Sequence, residues 1–260
     1  MHPPLMHKTL SIVIPTYRRP QTLARALDSV AAAAATAASA ADREVIVVDD
    51  CPEGSGFDLA RRFNARYIFK AGQQRGLSAS RNLGLGLASG VFVSFLDDDD
   101  FYNPGGLDAL LQHAATHEGI VVGNFTTFTS DQRVQHDLAP LTLDHLLVCN
   151  QIPVGAYLLR RAAITSRFDE QLRSHEDWEF LLRHTAQLPL SHVAFDVVSI
   201  DKTGNATTSM QARRRRLFWL DFLSIYARFP AAHLSGPRAA MMQSLGLQLP
   251  ADMLRFADEI

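Results

Sequence analysis

The run Gly90-Val-Phe-Val-Ser-Phe-Leu-Asp-Asp-Asp-Asp-Phe-Tyr-Asn-Pro104 joins a short apolar segment to four consecutive carboxylates. Residues 91–96 are rich in β-branched and aromatic side chains and are bounded by Gly90 and the acidic cluster, the pattern of a strand buried on both faces. The acids therefore stand at a strand's carboxyl end, which in an open α/β sheet faces the ligand crevice. Two unit charges about 4 Å apart repel by roughly 1 kcal/mol in water and roughly 4 kcal/mol at an effective dielectric of 20, so Asp97, Asp98, Asp99 and Asp100 call for a counter-cation. Carboxylate oxygens suit Mg²⁺ or Mn²⁺, and Mg²⁺ is commonly held by one or two carboxylates together with substrate phosphates. Asp97 and Asp99, two apart in extended chain, are expected to point the same way. A second reading stays open, in which the run complements the next helix, with Asn103 as its N-cap and Pro104 as its first residue.

On the amino-terminal side, residues 10–14 form a first apolar strand closed by the polar loop Pro15-Thr-Tyr-Arg-Arg-Pro20. A helix follows from about residue 21, with Leu23, Leu27 and Val30 at helical spacing, and runs into the almost pure alanine of 31–41, which is expected to extend it. A second strand at 44–48 ends in Asp49-Asp50. A helix near 57–65 and a third strand at 67–70 complete a βαβαβ pattern, which predicts a parallel sheet flanked by helices. Gly84, Gly86 and Gly90 lack the dinucleotide-fingerprint spacing and fall in or after a helix, and no P-loop motif is present. A Rossmann dehydrogenase is thereby excluded. Residues 78–87 read as a helix carrying Arg81 towards the sheet's carboxyl edge, where it could meet the carboxylates or a diphosphate; an ordinary surface arginine is the alternative.

On the carboxyl side, the pattern predicts an amphipathic helix over 104–117, a strand over 120–128, a polar loop over 130–139, a short helix over 143–148 and a strand over 154–159. A second chemical stretch, His175-Glu-Asp-Trp178, opens a helix whose apolar face carries Trp178, Leu181 and Leu182. Glu176 and Asp177 sit in its first turn, where a carboxylate serves either the helix dipole or catalysis. Trp178 either stacks on a sugar or fills the core. Arg213-Arg-Arg-Arg216 begins a tail helix in which Arg214, Asp221, Ser224 and Arg228 share one stripe. Such a helix over 213–229 lies on an anionic membrane or packs on its own domain or a second subunit.

At 260 residues the chain can form one sizeable α/β domain, and its net charge of −2 argues against nucleic acid as partner. Two cysteines, Cys51 and Cys149, imply no disulfide framework and a reducing compartment. No stretch reaches the roughly 18 apolar residues of a spanning helix, and residues 1–9 lack a signal-peptide core. The expectation is a cytoplasmic protein, free or peripheral at the inner face of the membrane.

Five pieces in this order resemble the family 2 glycosyltransferases of GT-A fold: Ser11-Ile-Val-Ile-Pro-Thr-Tyr17, Glu44-Val-Ile-Val-Val-Asp-Asp50, Arg75-Gly-Leu-Ser-Ala-Ser-Arg-Asn-Leu-Gly84, Phe95-Leu-Asp-Asp-Asp-Asp100 and His175-Glu-Asp-Trp178. The resemblance implies a Rossmann-like, mostly parallel central sheet flanked by helices, with a catalytic domain over 1–209 and a helical extension over 210–260. Its nucleotide-sugar half would span about 1–103 and its acceptor half about 104–209. It implies an inverting transferase that takes a nucleotide diphosphate sugar, UDP-sugar favoured, and a divalent metal, Mg²⁺ or Mn²⁺, and acts on a glycan or lipid-linked saccharide acceptor. Carried over, Pro15, Thr16 and Tyr17 would line the base and Asp50 would accept a hydrogen bond from it. Asp97 and Asp98 would serve the sugar nucleotide together with Arg81, Asp99 and Asp97 the metal, and Asp177, flanked by Glu176, the general base. Cys51-Pro52-Glu53 departs from the small residue and serine usual after Asp50. Where many members carry a basic or histidine-containing loop the chain has Asp201-Lys-Thr-Gly, with Lys202 as cation.

Two competing functions remain. A nucleotidyltransferase needs a Gly-rich basic loop after its first strand, where this chain has Pro15-Thr-Tyr-Arg-Arg19. A catalytically silent glycosyltransferase-like scaffold would gain nothing from an unneutralised acidic cluster. Homo-oligomerisation is left open by the sequence.

Overall fold

The computed structural model describes residues 8–35, 43–70, 76–203 and 212–249. Strands β1 (Leu10–Thr16), β2 (Arg43–Asp49) and β3 (Arg66–Phe69) alternate with helices α1 (Pro20–Ala35) and α2 (Phe57–Arg62); helix α3 (Leu77–Leu87) leads into β4 (Phe92–Phe95). β1 is buried along its whole length, as the unbroken apolar run requires. These four strands are mutually parallel in the order β3-β2-β1-β4. The chain winds outward from β1 to β3 and then crosses back to the other side of β1, so the topological switch point lies between β1 and β4. The carboxyl ends of those two strands, Thr16 and the start of the acidic run, bound the crevice where such sheets bind ligands.

The second half is mixed. Helix α4 (Gly106–Thr116) follows β5 (Phe101–Tyr102), and the sheet continues through β8 (Tyr157–Arg160), β6 (Ile120–Phe128) and β9 (Leu190–Asp201) to β5. β8 runs antiparallel to both β4 and β6, whereas β6 and β9 are parallel. Helices α5 (Leu143–Val148), α6 (Glu176–Thr185), α7 (Ala212–Arg228) and α8 (Ser235–Ser244) complete the chain.

Several expectations are corrected. The N-cap of α4 is Gly105 in the left-handed region (φ 78°), not Asn103. Asn103 is taken by β9 instead: its Nδ2 donates to the Asp196 carbonyl (3.0 Å) and its Oδ1 accepts from Ser199 Oγ (2.8 Å). The acids do not cap α4, because β5 intervenes. Within the expected loop 130–139, β7 (Arg133–His136) pairs antiparallel with β6; its polar residues suit an exposed edge. β9 carries no clean alternation and passed unread. The alanine tract is helical to Ala35; its remainder, 36–41, lies outside the described residues, as do Arg75 and residues 204–209 and the side chains of Arg213 to Arg216.

The tail helix packs on its own domain. Phe222, Ile225 and Tyr226 of α7 are buried, and so is Asp221 of the polar stripe. Asp221 accepts from the backbone N–H of Arg173 and Ser174, and Arg228 bridges Asp169 (2.6 Å) and Glu179 (3.3 Å). No described helix is long and apolar enough to cross a membrane.

α3 lies close on β1 because Gly84 has no side chain: a Cβ there would run into Val13. Gly84→Ala is therefore expected to destabilise the fold by about 1–3 kcal/mol through overpacking, despite alanine's better helix propensity. Urea unfolding checks this; unchanged or raised stability would refute the close packing.

Candidate active site

A cavity of about 390 Å³ opens at the carboxyl ends of β1 and β2. Pro15, Thr16 and Tyr17 line it from the first loop, Asp50 from the second, Gly76, Leu77 and Ser80 from the start of α3, and Arg19 and Asp98 from the acidic side. Tyr17 is 46% exposed at the mouth, an aromatic face open to a planar ligand. The adjacent carboxylates of β2 divide their tasks. Asp49 is fully buried and holds the following loop, accepting from the N–H of Cys51 (2.8 Å) and Gly56 (2.7 Å) and from Tyr67 Oη (3.0 Å). Asp50 accepts from the Gly76 N–H through Oδ2 (2.8 Å), which also lies 3.4 Å from Lys70 Nζ, and leaves a buried Oδ1 without a partner among the described residues. A buried acceptor of this kind calls for a donor from a ligand or water. Lys70, missed in the sequence, lies beneath the cavity floor with Nζ on Ser80 Oγ (3.0 Å) and the Gly76 carbonyl (3.2 Å); burial pushes its pKa down.

The acidic run is a turn, closed by the Asp100 N–H on the Asp97 carbonyl (3.1 Å), and not extended chain. The turn swings Asp98 away from its neighbours, to accept from Thr16 Oγ1 (2.7 Å) and Arg19 (3.2 Å). It folds Asp100 back beside Asp97 and Asp99, so that carboxylate oxygens of these three lie within 4.8 Å of one another. The expected pair of metal ligands is thus joined by a third, which the extended-chain assumption hid. Burial, with the charges of its neighbours added, raises the Asp100 carboxyl to about 8, and Asp99 is raised for the same reasons. Three hard oxygen donors held this close together fit a divalent cation. Arg19 contacts Asp99 Oδ2 at 2.6 Å, and Lys202 adds positive charge near Asp99 and Asp100.

Arg81 is no surface residue. Its side chain is 2% exposed, with Nη2 on Asp97 Oδ1 and Nη1 on Glu176 Oε1, both 2.6 Å. Burial works to lower its pKa, but Asp97 and Glu176 outweigh burial and hold it above the ordinary value. One buried cation thus ties the acidic turn after β4 to the first turn of α6. This bridge brings together two stretches of sequence some eighty residues apart.

Asp177, next to Glu176, accepts from the Trp178 N–H through Oδ1 (2.8 Å) and from Asn150 Nδ2 through Oδ2 (3.0 Å). Burial, reinforced by Glu176, raises its carboxyl to about 7. A carboxylate that merely complemented a helix N-terminus would be held low; one raised to the neutral range and tied through Glu176 and Arg81 to the acidic turn has the character of a proton acceptor, although Asp177 does not line the cavity itself. Tyr157, fully buried on β8, turns a hydroxyl without a hydrogen-bond partner among the described residues into the field of Asp177 and Arg81. Trp178 is fully buried and donates from Nε1 to the Leu146 carbonyl (2.7 Å), which excludes sugar stacking. Asn150, Tyr157 and Arg19 were missed. Position in the loop after β1 was the available signal for Arg19; nothing local marks the other two.

A family model described as Glycosyl transferase family 2 matches residues 11–152. An uncharacterized glycosyltransferase of Haemophilus influenzae is 30% identical over 190 residues, 67% of this chain and 61% of that protein. The GalNAc(5)-diNAcBac-PP-undecaprenol beta-1,3-glucosyltransferase of Campylobacter jejuni is 32% identical over 120 residues, 44% of this chain and 37% of that protein. The chain thus spans less than two thirds of the length of either relative. Among solved structures, S. aureus TarS in complex with UDP-GlcNAc superposes with a TM-score of 0.70 at 18% identity, over 92% of this chain and 73% of that one. The mannosyltransferase PcManGT from Pyrobaculum calidifontis, in complex with GDP-Man and Mn²⁺, gives 0.63 at 15% identity, over 94% and 77%. At these identities the likeness carries the GT-A fold alone.

Proposed function

The chain belongs to glycosyl transferase family 2, and we propose that it moves a sugar from a nucleotide diphosphate sugar to a hydroxyl of a glycan or lipid-linked acceptor with inversion at the anomeric carbon. The observation that carries this reading is the Arg81 bridge: Asp97 of the acidic turn and Glu176, neighbour of Asp177, share one buried guanidinium. Donor-side carboxylates and a proton acceptor are thereby held at fixed separation, as a single displacement needs.

The base enters the cavity beside Tyr17, with Asp50 Oδ1, unpartnered among the described residues, to accept one ring N–H, an arrangement that suits uracil and thymine alike; of the two, a UDP-sugar is the proposed donor. Asp97, Asp99 and Asp100 would hold a divalent cation, Mg²⁺ or Mn²⁺, which supplies Lewis-acid charge at the departing diphosphate. Asp177 takes the proton of the acceptor hydroxyl as that oxygen forms its bond to the anomeric carbon, and the bond to the diphosphate breaks on the opposite face. Arg81 and Glu176 keep Asp177 in register and do not touch the reacting atoms.

Calorimetric titration of UDP, GDP and dTDP, each with Mn²⁺ and with chelator, tests the donor half. Binding of UDP with Mn²⁺ and its loss in chelator is the expected result. Absence of binding for every nucleotide would overturn the transferase reading in favour of a silent scaffold.

A further inference from the structure

We propose that Asn150 is a positioning residue for Asp177, and that its own place is fixed by side chains of the carboxyl-terminal helices that grip the end of α5. The inference rests on Asp177 being the base. α5 has only six residues, and its last carbonyls find no partner within so short a helix. Three of them are met by side chains from three different helices. Trp178 Nε1 of α6 donates to the Leu146 carbonyl (2.7 Å), Arg238 Nε of α8 to that of Leu147 (3.0 Å), and Tyr226 Oη of α7 to that of Val148 (2.6 Å).

Arg238 shows how firmly this end is held. It is fully buried with no carboxylate partner among the described residues, lies over the Tyr226 ring at 4.3 Å, and directs Nη2 to the Phe229 carbonyl (2.7 Å). A buried guanidinium costs much desolvation, and here it is spent on two carbonyls. Two residues beyond the gripped end, Asn150 leaves the helix in a tight turn, its Oδ1 accepting from the Ile152 N–H (3.1 Å), and its Nδ2 reaches Asp177 Oδ2. That bond favours the ionised carboxylate and, together with the Trp178 N–H on Oδ1, fixes the orientation of the carboxylate plane. Asn150 lies inside the 11–152 family match, whereas Asp177, Tyr226 and Arg238 lie beyond it.

The groups that face Asp177 are Glu176 on its own helix, Arg81 on α3, Asp97 after β4, Tyr157 on β8 and Asn150. Against that fixed background the Asn150 contribution is measurable without turnover. Carboxyl ¹³C titration of the full chain, with the Asp177 signal assigned by its loss in Asp177→Asn, is compared for the parent, Asn150→Ala, Asn150→Asp and Tyr226→Phe. Asn150→Ala should raise the Asp177 midpoint by about one pH unit through loss of a charge-assisted hydrogen bond. Asn150→Asp, which keeps size and the acceptor for Ile152, should raise it further by adding like charge, and guards against mere loss of fold. Tyr226→Phe keeps the ring packing and should move the midpoint the same way by less. An unchanged midpoint in both Asn150 variants overturns the positioning role; an unchanged midpoint in Tyr226→Phe alone overturns the grip by the tail helices. If the midpoint moves as expected yet no donor binds in the calorimetric assay, the positioning stands and the transferase reading fails.

Discussion

Asp177→Asn is expected to leave donor binding within about twofold of the parent while lowering sugar transfer by about 10²–10⁴-fold, the range attributable to a positioned general base. The amide keeps the shape of the carboxylate but only one acceptor oxygen, so it can keep the Trp178 N–H bond and gives up that of Asn150 Nδ2. The Asp97–Arg81–Glu176 bridge does not pass through Asp177 and stays in place, so the acidic turn is undisturbed while the proton affinity is removed. The pH dependence follows with a definite sign. Burial raises the Asp177 carboxyl to about 7, so in the free enzyme it is protonated and idle below that pH and ionised above it. Transfer, read as kcat/KM, should therefore rise with pH through about 7, and the residual activity of Asp177→Asn should lose that limb. Stability runs the other way. A carboxyl whose folded value lies above its unfolded value binds more protons when folded, so its contribution falls as pH rises from the unfolded value through 7, and Asp177→Asn should flatten that fall. Full activity in Asp177→Asn, or an unchanged acid limb, would remove Asp177 from the base role.

Asp99→Asn is expected to weaken cation-dependent nucleotide binding by at least about 100-fold, since loss of an outer partner of a metal ligand already costs 10–100-fold. Asp100→Asn should do the same, because its carboxylate is folded back into the same group. Asp98→Asn is the control that separates geometry from simple charge removal. All three changes replace one carboxyl group of the run by an amide, but Asp98 is directed to Thr16 and Arg19 and stands apart from the triad. Calorimetric titration of Mn²⁺ alone, and of UDP in its presence, should place Asp99→Asn and Asp100→Asn together, with Asp98→Asn close to the parent in Mn²⁺ affinity. Equal loss in all three would mean that the run acts as a diffuse acidic patch. Unchanged Mn²⁺ affinity in Asp99→Asn would place the cation elsewhere.

The parallel half of the sheet was legible because the code for it is local. Residues 10–14, 44–48 and 91–96 are apolar runs bounded by polar breaks, and a strand buried on both faces needs nothing more to announce itself. The carboxyl ends of such strands are fixed by chain direction, so Thr16, Asp50 and the acidic run could be assigned to one crevice before any coordinate was known. β9 and β7 were not legible. Each lies at or near an irregular edge, where pairing with β6 and a bulge at Gly123–Phe125 override side-chain alternation.

In the site, residue types were readable and partnerships were not. The sequence determined that acids stand at the ends of β2 and β4 and in the first turn of α6, because local pattern and helix-start chemistry place them there. Tertiary structure alone decided that Asp98 turns away while Asp100 turns in, since a single turn hydrogen bond replaced extended chain. It alone decided that Arg81 is buried between Asp97 and Glu176, and that Trp178 is core. It alone brought Asn150 to Asp177 through Tyr226 and Arg238, residues dozens of positions downstream. Hydrogen bonds between distant side chains depend on the packing of whole helices, and no periodicity in the chain records that packing.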